Sequence, residues 1–446
     1  MDAVASAAPD TEAHTVYRCA RCGIESPERS CFVVPDRHGK PPHDTRCIIC
    51  EQQRLATGTL DGILGVARSV FLPLVIVVAI QRGLGDLTMW TVLAGCLMAP
   101  VAIVAHEIGH AAVGRLIGLE VSTVVIGTGP RIWRETIFGI CFTVNAWPLT
   151  GLTFFGARSL ALLRTRLWFG ILAGPATNIA IALVTSHYWD RLVDSVGAPA
   201  LTLWIVTNAL LAAQSLLPYR FKHGTDTMMS DGFQLLQVPG RTSEQLEPHL
   251  FTSALLRGYT QFEGGDFAGA QAVCIQGLQR VPENVHLSVL LSSCRSYAHD
   301  YAGSLAILRP LLHLQANTDA GIFAAIENNI AFALVMSNPQ ADPNSEAVIE
   351  ADRLSAHAFS LYPCVLAYRS TRALVLTARG QPEKALALLE YEHYETGPRA
   401  QQAHRETTRA FALHALNQRE ESRRASAEAA RLSPETVGFL DVLGLG

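Results

Sequence analysis

The sequence predicts a polytopic α-helical membrane protein, with about four transmembrane helices and a small membrane-edge β-sheet, joined to a cytosolic α-solenoid and a small zinc ribbon. Three observations predict this. Apolar residues are concentrated between about residues 60 and 220, the chain beyond about residue 248 is rich in alanine and leucine at helical spacing, and two Cys-x-x-Cys pairs lie near the N-terminus. The mean hydropathy of +0.22 is high for a soluble protein. A length of 446 residues suggests roughly two to four domains.

Four apolar segments each approach the ~20 residues that a helix needs to cross a bilayer. They cover about residues 63–81, 89–118, 161–187 and 199–218. Residues 120–156, between the second and third segments, are rich in β-forming residues, and Gly127, Gly129 and Pro130 offer a turn. We therefore expect two or more short strands at the membrane surface, within a membrane core covering residues 60–240.

Basic residues predict the orientation in the membrane. One set of segment ends carries only Arg82 and Arg191, each with an acid nearby. The opposite set is rich in basic residues: Arg54, Arg68, Arg115, Arg131, Arg134, Arg158, Arg164, Arg166, Arg220 and Lys222. Because loops rich in Lys and Arg stay in the cytoplasm, we expect a multi-pass protein of the lipid bilayer with cytoplasmic N- and C-termini. The net charge of −4 offers no electrostatic case for a nucleic-acid partner.

An HExxH motif lies inside the second apolar segment. His106 and His110 are four residues apart, so they share one helix face at a spacing suited to one zinc ion, and Glu107 is placed to act as general base. This motif also occurs by chance on solvated helices without a metal. That explanation is weaker here, because two histidines and a glutamate within an apolar helix are costly unless they serve a site.

A catalytic zinc needs a third protein ligand and one open position. Few acids lie near the apolar block, and the best candidate is Asp231, which directly follows the fourth segment and precedes another helical run. Asp226 is the rival ligand, and a helix N-cap is the alternative role of Asp231. The sequence thus predicts a catalytic zinc bound by His106, His110 and one of these two aspartates.

Residues 17–54 form a small cysteine module after a predicted disordered tail at residues 1–16. Cys19, Cys22, Cys47 and Cys50 stand in two CxxC turns, the pattern of a tetrahedral structural zinc site. The alternative is a set of reduced or redox-active thiols. The competing ligands within the module are Cys31, His38 and His43.

Residues 248–446 are predicted to form a tetratricopeptide-like helical array that binds a cytosolic protein or peptide. Asp266 and Asp300 occupy similar Asp-aromatic-Ala-Gly runs 34 residues apart, which is the tetratricopeptide period. Residues 380–385 and 417–420 indicate further turns between helices. A generic array of antiparallel α-hairpins is the alternative.

Three motifs in this order resemble the site-2 proteases, a family of intramembrane zinc metalloproteases: HEIGH at 106–110, GPATN at 174–178, and LLP at 216–218 followed by SDG at 230–232. The resemblance covers roughly residues 60–240. It implies zinc held by His106, His110 and Asp231, with Glu107 catalytic. The implied substrates are transmembrane segments of regulatory membrane proteins, cut near the cytoplasmic face.

Asn178 matches a family asparagine near the active site, where the resemblance implies that it orients substrate or stabilises the oxyanion. A hydrogen bond between helices is the alternative. This chain departs from the family pattern after the fourth segment: Ser215 stands in the asparagine-like position before LLP, and a polar insert from Tyr219 to Ser230 precedes Asp231. The insert keeps Asp226 open as the third ligand.

Two other functions compete with proteolysis. One is a membrane-anchored scaffold with a degenerate protease core that acts through its repeats. The other is a zinc transporter or metal sensor, which calls for several polar residues along an intramembrane path. The presence of Glu107 and of three available ligands favours an enzyme.

Overall fold

A computed structural model describes residues 16–26, 31–33, 45–48, 50, 89–223, 226–317, 319–390 and 399–445. The predicted tail at residues 1–16, apart from Val16, and the first apolar segment at 63–81 lie outside the described residues, as do His38 and His43. The chain forms two compact units. One joins the N-terminal residues up to Glu51 with the chain from Leu308 onward, and the other runs from Gln52 to Ile307. The domain limits drawn from the sequence remain predictions.

The second unit is built around three long apolar helices and a short connecting one. Their bounds are α1 Met89–Leu116, α2 Leu163–His187, α3 Trp189–Val196 and α4 Ala198–Leu216. Helix α1 contains the HExxH motif, α2 contains GPATN, and α4 ends in the LLP motif, while the short α3 connects α2 to α4. The long helices pack against one another, and Leu163 and Leu167 of α2 are almost fully buried.

Among the described residues, two helices are long and apolar enough to cross a membrane: Leu163–His187 and Ala320–Ser337. The second belongs to the repeat region, and 61% of its apolar window is buried inside the protein, as expected for the core helix of a soluble domain. The part of α4 from Ala200 to Leu216 forms a shorter apolar helix. The structure is thus mostly helical, and four spanning helices remain a prediction.

Two long strands, β5 (Glu120–Ile137) and β6 (Ile140–Gly156), form the sheet beside α1. They reverse at Phe138 and Gly139, both with positive φ, as two-residue hairpin turns require. The predicted turn at 127–130 lies inside β5. The chain crosses there from one side of β6 to the other, because Ile126 and Trp133 both pair with Val144. Gly127 and Gly129 have φ +84, and a Cβ on either would collide with Trp147. The two halves of β5 therefore pair with β6 on opposite sides of Val144.

The polar insert after α4 forms a hairpin of β7 (Arg220–His223) and β8 (Asp226–Met229). Helix α5 (Asp231–Gln237) follows it directly, and a short helix α6 (Ser243–Leu246) leads into the repeats. The two ends of the insert, at the end of α4 and the start of α5, therefore lie close together.

The first repeat helices pack on the β5–β6 sheet. They are α7 Pro248–Glu263, α8 Phe267–Arg280, α9 Val285–Tyr297 and α10 Tyr301–Leu308. The Ala157 amide donates to the His249 carbonyl at 2.7 Å, and His249 Nδ1 donates to the Phe155 carbonyl at 2.9 Å. Arg280 of α8 forms an ion pair with Glu120 at 3.0 Å. The first repeat and the apolar helical core therefore form one compact unit.

The predicted repeat turns share one backbone conformation. Gly265, His299, Gly380 and Asn417 each precede a helix start and all have positive φ. Asp266 and Asp300 then accept a hydrogen bond from the amide three residues on, at 2.9 and 2.8 Å. Each is an N-cap that stabilises the first turn of its helix. The same turn and N-cap recur 34 residues apart. The repeat can therefore be recognised although the rest of its sequence has diverged.

The remaining helices form the first unit together with the N-terminal cysteine module. The module is two short hairpins, and its Ser26 hydroxyl donates to the Leu361 carbonyl at 2.6 Å. The module strands are β1 Tyr17–Arg18, β2 Glu25–Ser26, β3 Phe32–Val33 and β4 Arg46–Cys47. The helices are α11 Ala320–Ser337, α12 Glu346–Leu361, α13 Leu366–Ala378, α14 Pro382–Leu389, α15 Arg399–Ala415, α16 Arg419–Leu432 and α17 Val437–Val442.

Candidate metal centre

His106, His110 and Asp231 meet between α1 and the start of α5. The two Nε2 atoms are 3.1 Å apart, and Asp231 Oδ2 lies 3.0 Å from His106 Nε2 and 3.5 Å from His110 Nε2. Nitrogen and oxygen ligands about 2.0–2.2 Å from a tetrahedral zinc are about 3.3 Å from one another. The three donor atoms therefore have the spacing that one zinc ion requires, and their two-imidazole, one-carboxylate chemistry suits it.

The hairpin insert does not displace Asp231 from the end of α4. Ser230, the last residue of the insert, closes its base: the Ser230 amide donates to the Tyr219 carbonyl at 3.0 Å, and its hydroxyl donates to the Leu217 carbonyl at 2.6 Å. The same hydroxyl caps α5 by accepting from the Phe233 amide. Asp231 therefore stands in space directly after Leu217, although the insert separates them in sequence.

Gly232 makes this approach possible. A Cβ at this position would lie 1.8 Å from the Leu216 carbonyl oxygen, so the chain passes the end of α4 only with glycine. The rival ligand Asp226 begins β8, and its side chain is outside the described part of the structure. Asp231 is also the first residue of α5 and not its N-cap, a position that Ser230 holds.

A chain of two buried asparagines orients His106. His106 Nδ1 donates to Asn178 Oδ1 at 2.6 Å, and Asn178 Nδ2 donates to Asn208 Oδ1 at 2.8 Å and to the Ala102 carbonyl at 3.1 Å. Asn208 Nδ2 in turn donates to the Trp204 carbonyl. Both asparagines are 0% exposed. A proton on Nδ1 leaves Nε2 deprotonated and facing Asp231, as metal binding requires.

This arrangement bears on the role of Asn178. Its Oδ1 accepts from His106, and both of its amide hydrogens are donated to protein acceptors, so in this conformation it has none left for a substrate. The geometry favours the helix-to-helix hydrogen bond over contact with an oxyanion. Sequence reasoning does not identify Asn208. The signal that could identify it is an asparagine within an otherwise apolar helix.

His110 is oriented by α2. Its Nδ1 donates to the Gly170 carbonyl at 2.8 Å, which again leaves Nε2 toward the site. Gly174 lies directly against both imidazoles, because a Cβ there would stand 2.3 Å from His110 Nε2 and 2.6 Å from His106 Nε2. The glycine of GPATN therefore provides the space in which the ligands converge.

Glu107 is 4% exposed and faces strand β6. Its Oε2 accepts a hydrogen bond of 2.6 Å from the Thr153 hydroxyl. Gly151 adjoins the same carboxylate, since a Cβ there would lie 2.3 Å from Glu107 Oε1. Sequence reasoning missed Thr153 and Gly151, because a contact between a helix residue and a strand residue 46 positions later has no local signature.

The sulfur atoms of Cys19, Cys22, Cys47 and Cys50 lie within 4.8 Å of one another. The distance from Cys22 Sγ to Cys47 Sγ is 3.8 Å. Sulfur ligands about 2.3 Å from a tetrahedral zinc are about 3.8 Å apart, so this group fits a structural zinc. Cys31, a competing ligand in the sequence, instead lies 2.9 Å from Cys364.

We predict that Asn208→Ala weakens zinc binding at the histidine site by up to about 10-fold, the lower end of the cost of losing a direct partner of a ligand histidine, because Asn208 acts on His106 through Asn178. Zinc affinity is measured on the purified chain by competition with a chromophoric chelator. Asn338→Ala, at an exposed helix end, is the control. Equal zinc affinity in Asn208→Ala and wild type would contradict the orienting role.

An HExxH helix with a buried glutamate and a carboxylate third ligand defines the class of zinc-type metallopeptidases. The model of peptidase family M50 matches residues 94–336, more than half of the chain. The chain belongs to that family, and its resemblance to the site-2 proteases is confirmed. Membership supports a membrane metalloprotease function.

Two solved structures are similar to parts of the chain. A thermophilic TPR protein of Thermus thermophilus is 17% identical with a TM-score of 0.33, over 44% of this chain and 99% of that one. The TPR domain of P58(IPK) is 12% identical with a TM-score of 0.21, over 64% of this chain and 84% of that one. No curated protein matches the chain. The repeat architecture therefore rests on the helix pairs and turns described above.

Proposed function

We propose that the protein is an intramembrane zinc metalloprotease that cleaves transmembrane segments of regulatory membrane proteins near the cytoplasmic face. The observation that carries this proposal is the convergence of His106, His110 and Asp231 on one point, with the buried Glu107 next to His106 on the same helix, in a member of peptidase family M50. A degenerate protease core would have lost at least one of these groups. The alternative, a membrane-anchored scaffold acting through its repeats, has no comparable support.

Zinc at such a site supplies Lewis-acid polarisation of the scissile carbonyl and a water molecule that ionises near neutral pH. In our proposal Glu107 takes the proton from this water and passes it to the leaving amine. The Thr153 hydroxyl hydrogen bonds to one carboxylate oxygen and so fixes the orientation of the carboxylate. Asn178 and Gly170 keep the two imidazoles in the metal-binding tautomer.

The position of the site on an apolar helix indicates the class of substrate, a membrane-embedded peptide. His106, Glu107 and His110 stand on an apolar helix, and the basic residues nearest to them in sequence are at the ends predicted to be cytoplasmic. A membrane-embedded peptide must be unwound locally before its carbonyl is accessible, so helix-breaking residues in the substrate should favour cleavage. We place both chain termini, the repeats and the cysteine module in the cytoplasm on the same argument.

The repeats are proposed to dock a cytosolic protein, or the soluble part of the substrate. Helix α7 is hydrogen bonded to the end of β6 through His249, and β6 is also the strand that holds Glu107 through Thr153. A partner seated on the first repeats would therefore act on a strand that reaches the catalytic carboxylate. The four-cysteine group is proposed to bind a second, structural zinc.

The function is tested by reconstituting the purified full chain in liposomes with a single-pass membrane protein that carries a glycine or proline in its span. We expect a shortened product on an immunoblot, lost after treatment with a zinc chelator and restored by added Zn²⁺. A second substrate without the helix-breaking residue is the control for substrate preference. Cleavage that survives complete removal of zinc would contradict the proposal, whereas zinc loading without cleavage of any candidate would favour the scaffold.

A further inference from the structure

Cys31 and Cys364 are the closest pair of thiols among the described contacts of the cysteine module. Their sulfur atoms are 2.9 Å apart, although 333 residues separate them in sequence, and both side chains are 0% exposed. Cys31 begins the second hairpin of the module, and Cys364 lies between α12 and α13 of the repeats. The pair therefore stands where the module contacts the repeat helices.

The cysteine module and the repeat helices form a packed interface around this pair of thiols. Cys31 and Phe32 of the module share one buried core with Ala358, Tyr362 and Cys364 of the repeats. Three of the four proposed zinc ligands also belong to this core, and the fourth, Cys22, packs against it. The Ser26 hydroxyl donates to the Leu361 carbonyl, three residues before Cys364. Because apolar packing and a hydrogen bond hold the two sides together, the two sulfur atoms stay adjacent while the module is docked.

The Cys31–Cys364 distance differs from that between the proposed zinc ligands. Cys22 and Cys47 are 3.8 Å apart, as two sulfur ligands on one zinc should be. Two sulfur atoms at 2.9 Å are too close for that role, and a shift of about 1 Å would bring them to the length of about 2.05 Å of a disulfide bond. Cys364 also contacts the thiol of Cys47, but its 2.9 Å separation from Cys31 favours bond formation over shared metal binding.

We propose that Cys31 and Cys364 form a reversible disulfide that fastens the cysteine module to the repeat helices. The oxidant is a low-molecular-weight disulfide of the glutathione type. One thiolate attacks it to give a mixed disulfide and one thiol, and the second thiolate then displaces the other small thiol. In sum two protein thiols and one small disulfide become one protein disulfide and two small thiols.

The burial of both sulfur atoms determines how this site responds. Exchange requires the module to open briefly from the repeats, so oxidation and reduction are slow compared with those of an exposed thiol. Once formed, the bond closes a very long loop and opposes opening of the module. In a reducing compartment such a bond forms only when the thiol–disulfide balance shifts, which makes the pair a sensor of that balance.

The test uses the zinc-loaded full chain in detergent, equilibrated with glutathione and glutathione disulfide at a series of ratios. After acid quenching, remaining thiols are alkylated and the peptides are analysed by mass spectrometry. We expect a Cys31–Cys364 linked peptide that accumulates at oxidising ratios and disappears on return to reduced glutathione. Quantitative alkylation of both cysteines at every ratio would overturn the proposal.

Three variants sharpen this test. Cys31→Ala and Cys364→Ala should each abolish the linked peptide and leave zinc content unchanged, and Cys141→Ala, a buried cysteine in the sheet, should alter neither. Loss of a zinc ion in Cys31→Ala or Cys364→Ala, with the fold retained by circular dichroism, would assign the pair as metal ligands and refute the disulfide. Because the linked peptide is measured in the wild-type chain, misfolding of a variant does not affect the result.

Discussion

Glu107→Gln is expected to lower cleavage by about 10²–10⁴-fold, the usual contribution of a general base, while leaving the zinc content unchanged. Glutamine keeps the size of the side chain and can still accept from the Thr153 hydroxyl, but it cannot take a proton from water. The measurement is product formation against time in liposomes, with zinc determined by elemental analysis of the same sample. Glu283→Gln, at an exposed site in a repeat turn, is the matched control.

A second variant tests the position of the carboxylate and not its chemistry. Gly151→Ala would place a methyl group against Glu107, whereas Gly240→Ala meets no atom within 4 Å. A displacement of about 1 Å at a catalytic group can cost about 10²-fold in rate, so we expect Gly151→Ala to be impaired and Gly240→Ala to be normal. Full activity in both Glu107→Gln and Gly151→Ala would rule out the mechanism proposed for Glu107.

Asp231→Ala is expected to remove the catalytic zinc and with it all detectable cleavage. Two histidines alone form an incomplete site, and the lost carboxylate is the donor that lies within 3.5 Å of both imidazoles. Zinc should fall from about two ions per chain to about one, because the four-cysteine group retains its own. Elemental analysis of the purified variant, together with the liposome assay, measures both effects.

Asp226→Ala is the control, since Asp226 is the rival ligand from the same insert. We expect this variant to keep both zinc and activity, because Ser230 closes the hairpin and places Asp231, not Asp226, directly after Leu217. The reverse pattern, with zinc lost in Asp226→Ala and kept in Asp231→Ala, would show that the assignment of the third ligand is wrong.

The parts of the site that sequence reasoning found have local signatures. The i, i+4 spacing of His106 and His110 places both on one helix face whatever the rest of the chain does. The repeat turns were also visible, because a left-handed residue followed by a capping side chain leaves a short, recurring pattern around Asp266 and Asp300. By contrast, the sequence predicts an ordinary turn where β5 makes its crossing, because glycines at 127 and 129 are compatible with either structure.

The sequence by itself determined the chemistry of this protein: an HExxH helix in apolar surroundings, a downstream aspartate, paired cysteines and a helical repeat. The tertiary structure decided which partners complete each group. Asn208 reaches His106 through Asn178, Thr153 reaches Glu107 from another element, and Cys364 reaches Cys31 across 333 residues. The physical reason is that residue type and spacing specify local geometry, whereas contacts between distant elements depend on how those elements pack.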